Sequence, residues 1–239
     1  MATLYQHSTL AALMASLFKG TLTLEELLKN GDTGIGTLEG VNGELVILDG
    51  HVYHASGDGS IREVTDLLET VPFASVHFND QTAKNVVVPP TNGDGLQKFA
   101  EENNLLNTFA AFNLHGEFKH VKVRIAPAST APYPTLAEVA KNQPIFETDN
   151  VTGTIVGYFA PDLFEGATAA GWHLHFLSDD HQFGGHLLLC ETGELTGTVQ
   201  VFENLDLHFP IQDPDFMEHN LNLHGLNESI QAAEGMVAE

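Results

Sequence analysis

The sequence predicts an α+β fold, two intimate α/β lobes built on mixed and antiparallel β-sheets with flanking helices. Three observations carry this. Thr23-Leu24-Glu25-Glu26 and Thr135-Leu136-Ala137-Glu138 have the capping-box spacing that starts a helix. Short alternating runs separated by Asn42-Gly43, Asp49-Gly50 and Gly57-Asp58-Gly59 describe a β-meander. From Ile145 onward the texture is β almost throughout. The 239 residues fit one large domain or two closely joined lobes. The change of texture puts an N-terminal α/β lobe at 1–143 and a β-rich lobe at 144–239, together one compact unit.

In chain order, Ser8 is expected to cap a first helix that Gly20 stops, and Thr23 to cap a second that ends at Gly31. Strands follow at Gly34–Leu38, Glu44–Leu48, His51–Ala55 and Phe73–Phe78. Leu96–Asn103 reads as a helix, and Thr108–Ile125 as a hairpin turning at His115-Gly116. Thr135 starts a short helix before Pro144. Strands are expected at Thr152–Phe159, Trp172–Leu177, Gly185–Cys190, Gly197–Phe202 and Leu205–Phe209. Asn227 caps a last helix running to Glu234.

Composition narrows the function. Asp and Glu number 32 against 9 Lys and Arg, for a formal charge of −23. So few scattered cations build no basic face, which excludes nucleic acid as a partner and argues against an anionic membrane. Hydrophobic residues make up 43% of the chain, enough for a core despite the charge. The single Cys190 forms no internal disulfide and closes an apolar run, so it reads as a buried small hydrophobe. Leu10–Phe18 is too short to span a membrane and has no cation before it, so it reads as an amphipathic helix and the chain as cytoplasmic. Gly34-Ile35-Gly36 precedes an Asn-Gly turn where a dinucleotide loop would need a helix.

The informative stretch lies beyond Lys141, the last cation, where seven of the 13 histidines fall. In Gly171-Trp172-His173-Leu174-His175-Phe176-Leu177, strand alternation puts His173 and His175 on one face and Leu174 and Phe176 on the other. Ser178–Gln182 is a polar turn, and His186 returns on the partner strand. Three imidazoles from one hairpin make a nitrogen site with an open fourth position, the pattern of catalytic zinc. His181 competes as a ligand, but it sits at the turn tip. Elsewhere, Arg124 follows Val121-Lys122-Val123 and shares a strand face with Lys122. Its fork suits a carboxylate, although pattern alone favours a surface ion pair. By pattern Glu44 is an exposed strand residue, and Thr37 and Glu234 are unremarkable.

The hairpin closely resembles the signature of α-acetolactate decarboxylases. So do Tyr5-Gln6-His7-Ser8-Thr9, Gly31-Asp32-Thr33-Gly34-Ile35-Gly36-Thr37, Leu48-Asp49-Gly50 and the Arg124 strand, in order along nearly the whole chain. The resemblance implies a two-lobed α/β homodimer with Zn2+ on His173, His175 and His186. It implies Arg124 and Glu44 in the same pocket, Thr37 and Arg124 as substrate-binding residues, and a C-terminal glutamate folded back toward the metal. Glu234 matches that glutamate best, with Glu228 and Glu239 as alternatives. The implied reaction is decarboxylation of 2-acetolactate to acetoin and CO2, on the route to butanediol. In it the metal stabilises an enediolate, and Glu44 or Glu234 protonates one face. Two other readings fit the hairpin alone: a cupin-like metal enzyme, and a non-catalytic metal- or sugar-binding β module.

Overall fold

The computed structural model describes residues 1–92 and 94–221; the helix expected from Asn227 to Glu234 lies outside them. The chain runs β1 (Thr3–His7), α1 (Leu10–Met14), β2 (Leu22–Thr23), α2 (Leu24–Leu27), β3 (Thr33–Leu38), β4 (Asn42–Leu48), β5 (His51–Ala55), β6 (Ile61–Glu63), β7 (Thr70–Val71) and β8 (Phe73–His77). It continues with β9 (Lys84–Val88), α3 (Asp94–Glu102), β10 (Ala110–Arg124), α4 (Leu136–Lys141), β11 (Ile145–Ala160), β12 (Gly171–Ser178), β13 (Gly184–Val201), β14 (Asn204–His208) and α5 (Pro214–Glu218).

These strands form two main sheets. The first has the order β14-β1-β8-β3-β4-β5-β6 and is antiparallel except where β14 lies parallel to β1. The second has the order β10-β11-β12-β13-β9 and is antiparallel throughout. Because β10 pairs with β13 as well as β11, these four strands close on themselves. Inside the closure pack Phe112, Phe118, Leu174, Phe176 and Leu187. Between the two sheets lie Leu4, Ile35, Val46, Val156 and Leu177. Alternation along β12 therefore sends Leu174 and Phe176 into the closed sheet, while His173, His175 and Leu177 face the first sheet. The expected division at 143/144 does not follow the sheets. β9 and β10 precede it but belong to the second sheet, and β14 follows it but completes the first.

Several local expectations change. The chain opens with a strand, β1, whose partners β8 and β14 lie far along the sequence. Ser8 takes a positive φ of 62°, and Thr9 caps α1 by accepting from the Ala12 amide at 3.2 Å. The hairpin at His115-Gly116 is absent, and β10 runs straight through both residues. Gly116 is flanked by Gly153 on β11 and Leu195 on β13. A Cβ there would come within 2.7 Å of the Glu194 carbonyl, so this glycine lets backbones pass closely and makes no turn. Likewise the two strands expected at 185–190 and 197–202 are one, β13, held along its length by β10 with register shifts. Thr135 and Glu138 do form the full capping box of α4.

Candidate metal centre

β12 and β13 place the three hairpin histidines together. His175 stands directly opposite His186 in the ladder, and His173 is two residues before His175 on the same face. Gly185 fixes this placement. Beside His186, where β13 pairs with both β12 and β10, Gly185 takes φ +146°, and a Cβ there would sit 2.9 Å from the Arg124 carbonyl. One nitrogen of each ring lies within 4.8 Å of the others, a span that one cation can bridge.

The surroundings keep His173 and His175 neutral, the form that ligates. Burial, then the nearby Arg124 charge, pushes His173 down to about 3. Its ring is half-buried and lines the cavity between the sheets. Burial, then His173 beside it, holds His175 well below the ordinary histidine range. His175 is 1% exposed, and its Nδ1–H donates to the Leu45 carbonyl on β4 at 2.8 Å. That bond fixes the tautomer and leaves a lone pair on Nε2. Nε2 is buried and makes no hydrogen bond, although Glu44 Oε2 lies 3.4 Å away. A desolvated acceptor in that state is costly unless something fills its place. The donor set, three imidazoles with no thiolate, suits zinc with a position left for substrate.

Glu44 and Arg124 depart from the exposed positions that pattern suggested. Both are 8% exposed. Glu44 Oε1 accepts from the Ala126 amide at 3.1 Å, which aims the other oxygen at His175. Arg124 donates from a terminal nitrogen to His186 Nε2 at 3.2 Å. Its strand neighbour Lys122 instead forms a surface pair with Glu147 at 3.0 Å. Thr37, buried on β3, donates its hydroxyl to the Gly43 carbonyl at 2.7 Å. His181 lies at the turn tip, exposed and outside the trio. Glu234, Glu228 and Glu239 lie outside the described residues.

Thr37, Glu44, Arg124, His173 and His175 line one cavity between the sheets. Leu10 and Leu13 of α1 and Leu136 of α4 close it on its apolar side. Gln143, just after α4, lines it too. Sequence pattern gave no sign of Gln143 beyond its place between a capped helix and a proline. The cavity thus holds two of the three histidines, one guanidinium and one carboxylate inside an apolar shell. Such a place can bind a small anion and bear on charge that develops within it.

Comparison with known proteins agrees with this geometry. The family model described as alpha-acetolactate decarboxylase matches residues 4–223. The alpha-acetolactate decarboxylase of Lactococcus lactis strain IL1403 is 40% identical over 235 residues, covering 97% of this chain and 98% of that protein. The crystal structure of the Bacillus subtilis strain 168 alpha-acetolactate decarboxylase superposes with a TM-score of 0.89 at 33% identity, covering 98% and 99% of the two chains. A Staphylococcus aureus protein of unknown function, described as similar to that enzyme, gives 0.90 at 38% identity, covering 97% and 100%. Neither the cupin-like reading nor the non-catalytic β module finds support in these matches. The chain belongs to the alpha-acetolactate decarboxylase family.

Proposed function

We propose that this chain decarboxylates 2-acetolactate to acetoin and CO2 with a zinc ion held by His173, His175 and His186. The observation that carries the reading is the buried His175 Nε2, which makes no hydrogen bond and lies beside two further imidazoles, in a residue lining the cavity that also holds Arg124 and Glu44. When bound, zinc supplies a Lewis acid for the negative charge that builds on the substrate as CO2 leaves.

The protein's own groups divide the remaining work. Arg124 offers a planar fork of donors and grips the substrate carboxylate until it departs. The electron pair of the breaking carbon–carbon bond moves toward the neighbouring ketone, so no organic cofactor is required. Thr37 is locked by its bond to Gly43 and positions substrate from the β3 side. Glu44 or Glu234 carries the proton that ends up on the carbon that lost CO2. For Glu44 the delivering atom is Oε2, because the Ala126 amide occupies Oε1. A fixed carboxyl delivers to one face only, which yields one enantiomer of acetoin. The apolar walls from Leu10, Leu13 and Leu136 exclude water and strengthen each charge interaction inside. A homodimer in the cytoplasm, on a route to acetoin and butanediol, completes the reading by family resemblance.

The test is direct. Zinc-loaded protein incubated with 2-acetolactate is expected to release CO2 and form one enantiomer of acetoin. No CO2 above the spontaneous rate would refute the reaction, and racemic acetoin would refute the fixed proton donor.

A further inference from the structure

Gln143 sits where α4 hands the chain to β11, and its backbone is held on both sides. Asn142 closes the helix, and the Pro144 carbonyl accepts from the Ile125 amide at 3.2 Å, one residue past Arg124. The side chain lines the cavity that holds Thr37, Glu44, Arg124 and two of the histidines. Its amide oxygen, Oε1, is shut away from solvent and has no hydrogen-bond partner. Most buried side-chain oxygens are satisfied, so one without a partner, in a residue that lines the cavity, is suited to a donor that a ligand brings. The side chains of Leu10, Leu13, Val41 and Leu136 in the same wall offer none.

An amide oxygen can only accept. In acetolactate the carboxylate and the ketone also only accept, and the tertiary hydroxyl is the one group that donates. We propose that Gln143 Oε1 accepts the hydrogen bond of the substrate's tertiary hydroxyl and so selects 2-hydroxy acids. This rests on the decarboxylase reading and deepens it. Arg124 takes the carboxylate, Gln143 takes the hydroxyl, and the methyl group is left to the apolar wall. Those three contacts on one carbon distinguish its two configurations. A site built around a hydroxyl rejects an analogue that lacks it, because the acceptor then stays bare.

The test uses two acids of nearly one shape, 2-hydroxy-2-methylpropanoate and 2,2-dimethylpropanoate, titrated calorimetrically into the zinc-loaded protein. Gln143→Met keeps the length of the side chain and removes the acceptor. It is expected to weaken the hydroxy acid about tenfold and the dimethyl acid by less than about twofold. Gln143→Glu keeps an acceptor oxygen at the same reach. It is expected to weaken both acids by charge repulsion and to preserve their ratio within about threefold. Equal losses for both acids in the Met variant would mean a structural role and overturn the contact, as would no loss for either, or loss of the ratio in the Glu variant. Acetolactate turnover is followed in parallel. Wild-type protein that releases no CO2 defeats the decarboxylase reading, whereas normal turnover with an unaltered Met variant defeats the Gln143 contact alone.

Discussion

Two buried histidines, one on each sheet, look alike by burial and differ in what their nitrogens do. His77 on β8 is 1% exposed, as is His175 on β12. Burial lowers both, His77 to about 4 against the opposing pull of Asp32 and Asp80. At His77 Nδ1 shares a hydrogen bond with the Tyr158 hydroxyl at 2.9 Å, and that hydroxyl also lies 3.2 Å from the Thr33 and Ser75 carbonyls. Phe202 packs edge-on against the ring. At His175 one nitrogen is spent on Leu45, and the other faces two more imidazoles without a hydrogen bond. A buried neutral histidine is thus no marker of chemistry by itself. The informative feature is the unspent lone pair, and what converges on it. Under the proposed function His77 serves stability and the hairpin trio the chemistry.

Substitution should separate the two regions. The larger effect is expected at Arg124→Lys. A point charge replaces the planar fork, so kcat/KM should fall about a hundredfold while the thermal midpoint moves by no more than about 2 °C. Steady-state kinetics beside a melting curve checks this, and near-normal kinetics would take Arg124 out of the site. His77→Gln should do the opposite. Its kcat/KM should stay within about twofold of wild type, while stability at pH 7 falls by about 1–3 kcal/mol as the Tyr158 network loses a partner. Urea unfolding reads the second effect, and a large loss of activity at unchanged stability would dissolve the distinction.

The smallest effect lies in the pH dependence of stability. The unfolded chain takes up a proton on a histidine near pH 6.5, and native His77 refuses it until about pH 4. Stability from this residue is therefore complete above pH 6.5 and is lost as pH falls through that window, with no further change below it. His7, also held near 4 by burial and then by His208, adds a loss of the same sign. In His77→Gln the slope of unfolding free energy between pH 6 and 5 should be shallower by about 1.4 kcal/mol per pH unit. An unchanged slope would show that His77 titrates normally in the native state.

The hairpin was legible because everything it needs is local. A strand alternates its side chains, a polar turn reverses it, and His186 meets His175 within eleven residues. The capping box at Thr135 and Glu138 was legible for the same reason. What escaped depends on distant partners. β1 resembled the lead into a helix because its neighbours β8 and β14 are about 70 and 200 residues away. His115-Gly116 resembled a turn because close packing of two backbones and a reversal both favour glycine. Glu44 alternates like a solvent-facing residue, yet the second sheet and the Ala126 amide cover it. The family resemblance put Glu44 and Arg124 in one pocket and named Thr37, and all three do line one cavity, which pattern alone did not indicate. Gln143 came from neither, because an orphaned acceptor is visible only once the surrounding atoms are in place.

The claim that the unspent nitrogen of His175 is a metal ligand is tested most directly by metal content. Wild-type, His77→Gln and His175→Gln proteins are prepared together with zinc and freed of excess by gel filtration, and bound metal is measured by mass spectrometry. Stoichiometric zinc is expected in the first two and almost none in His175→Gln. Full zinc in His175→Gln, or its loss in His77→Gln, would contradict the account.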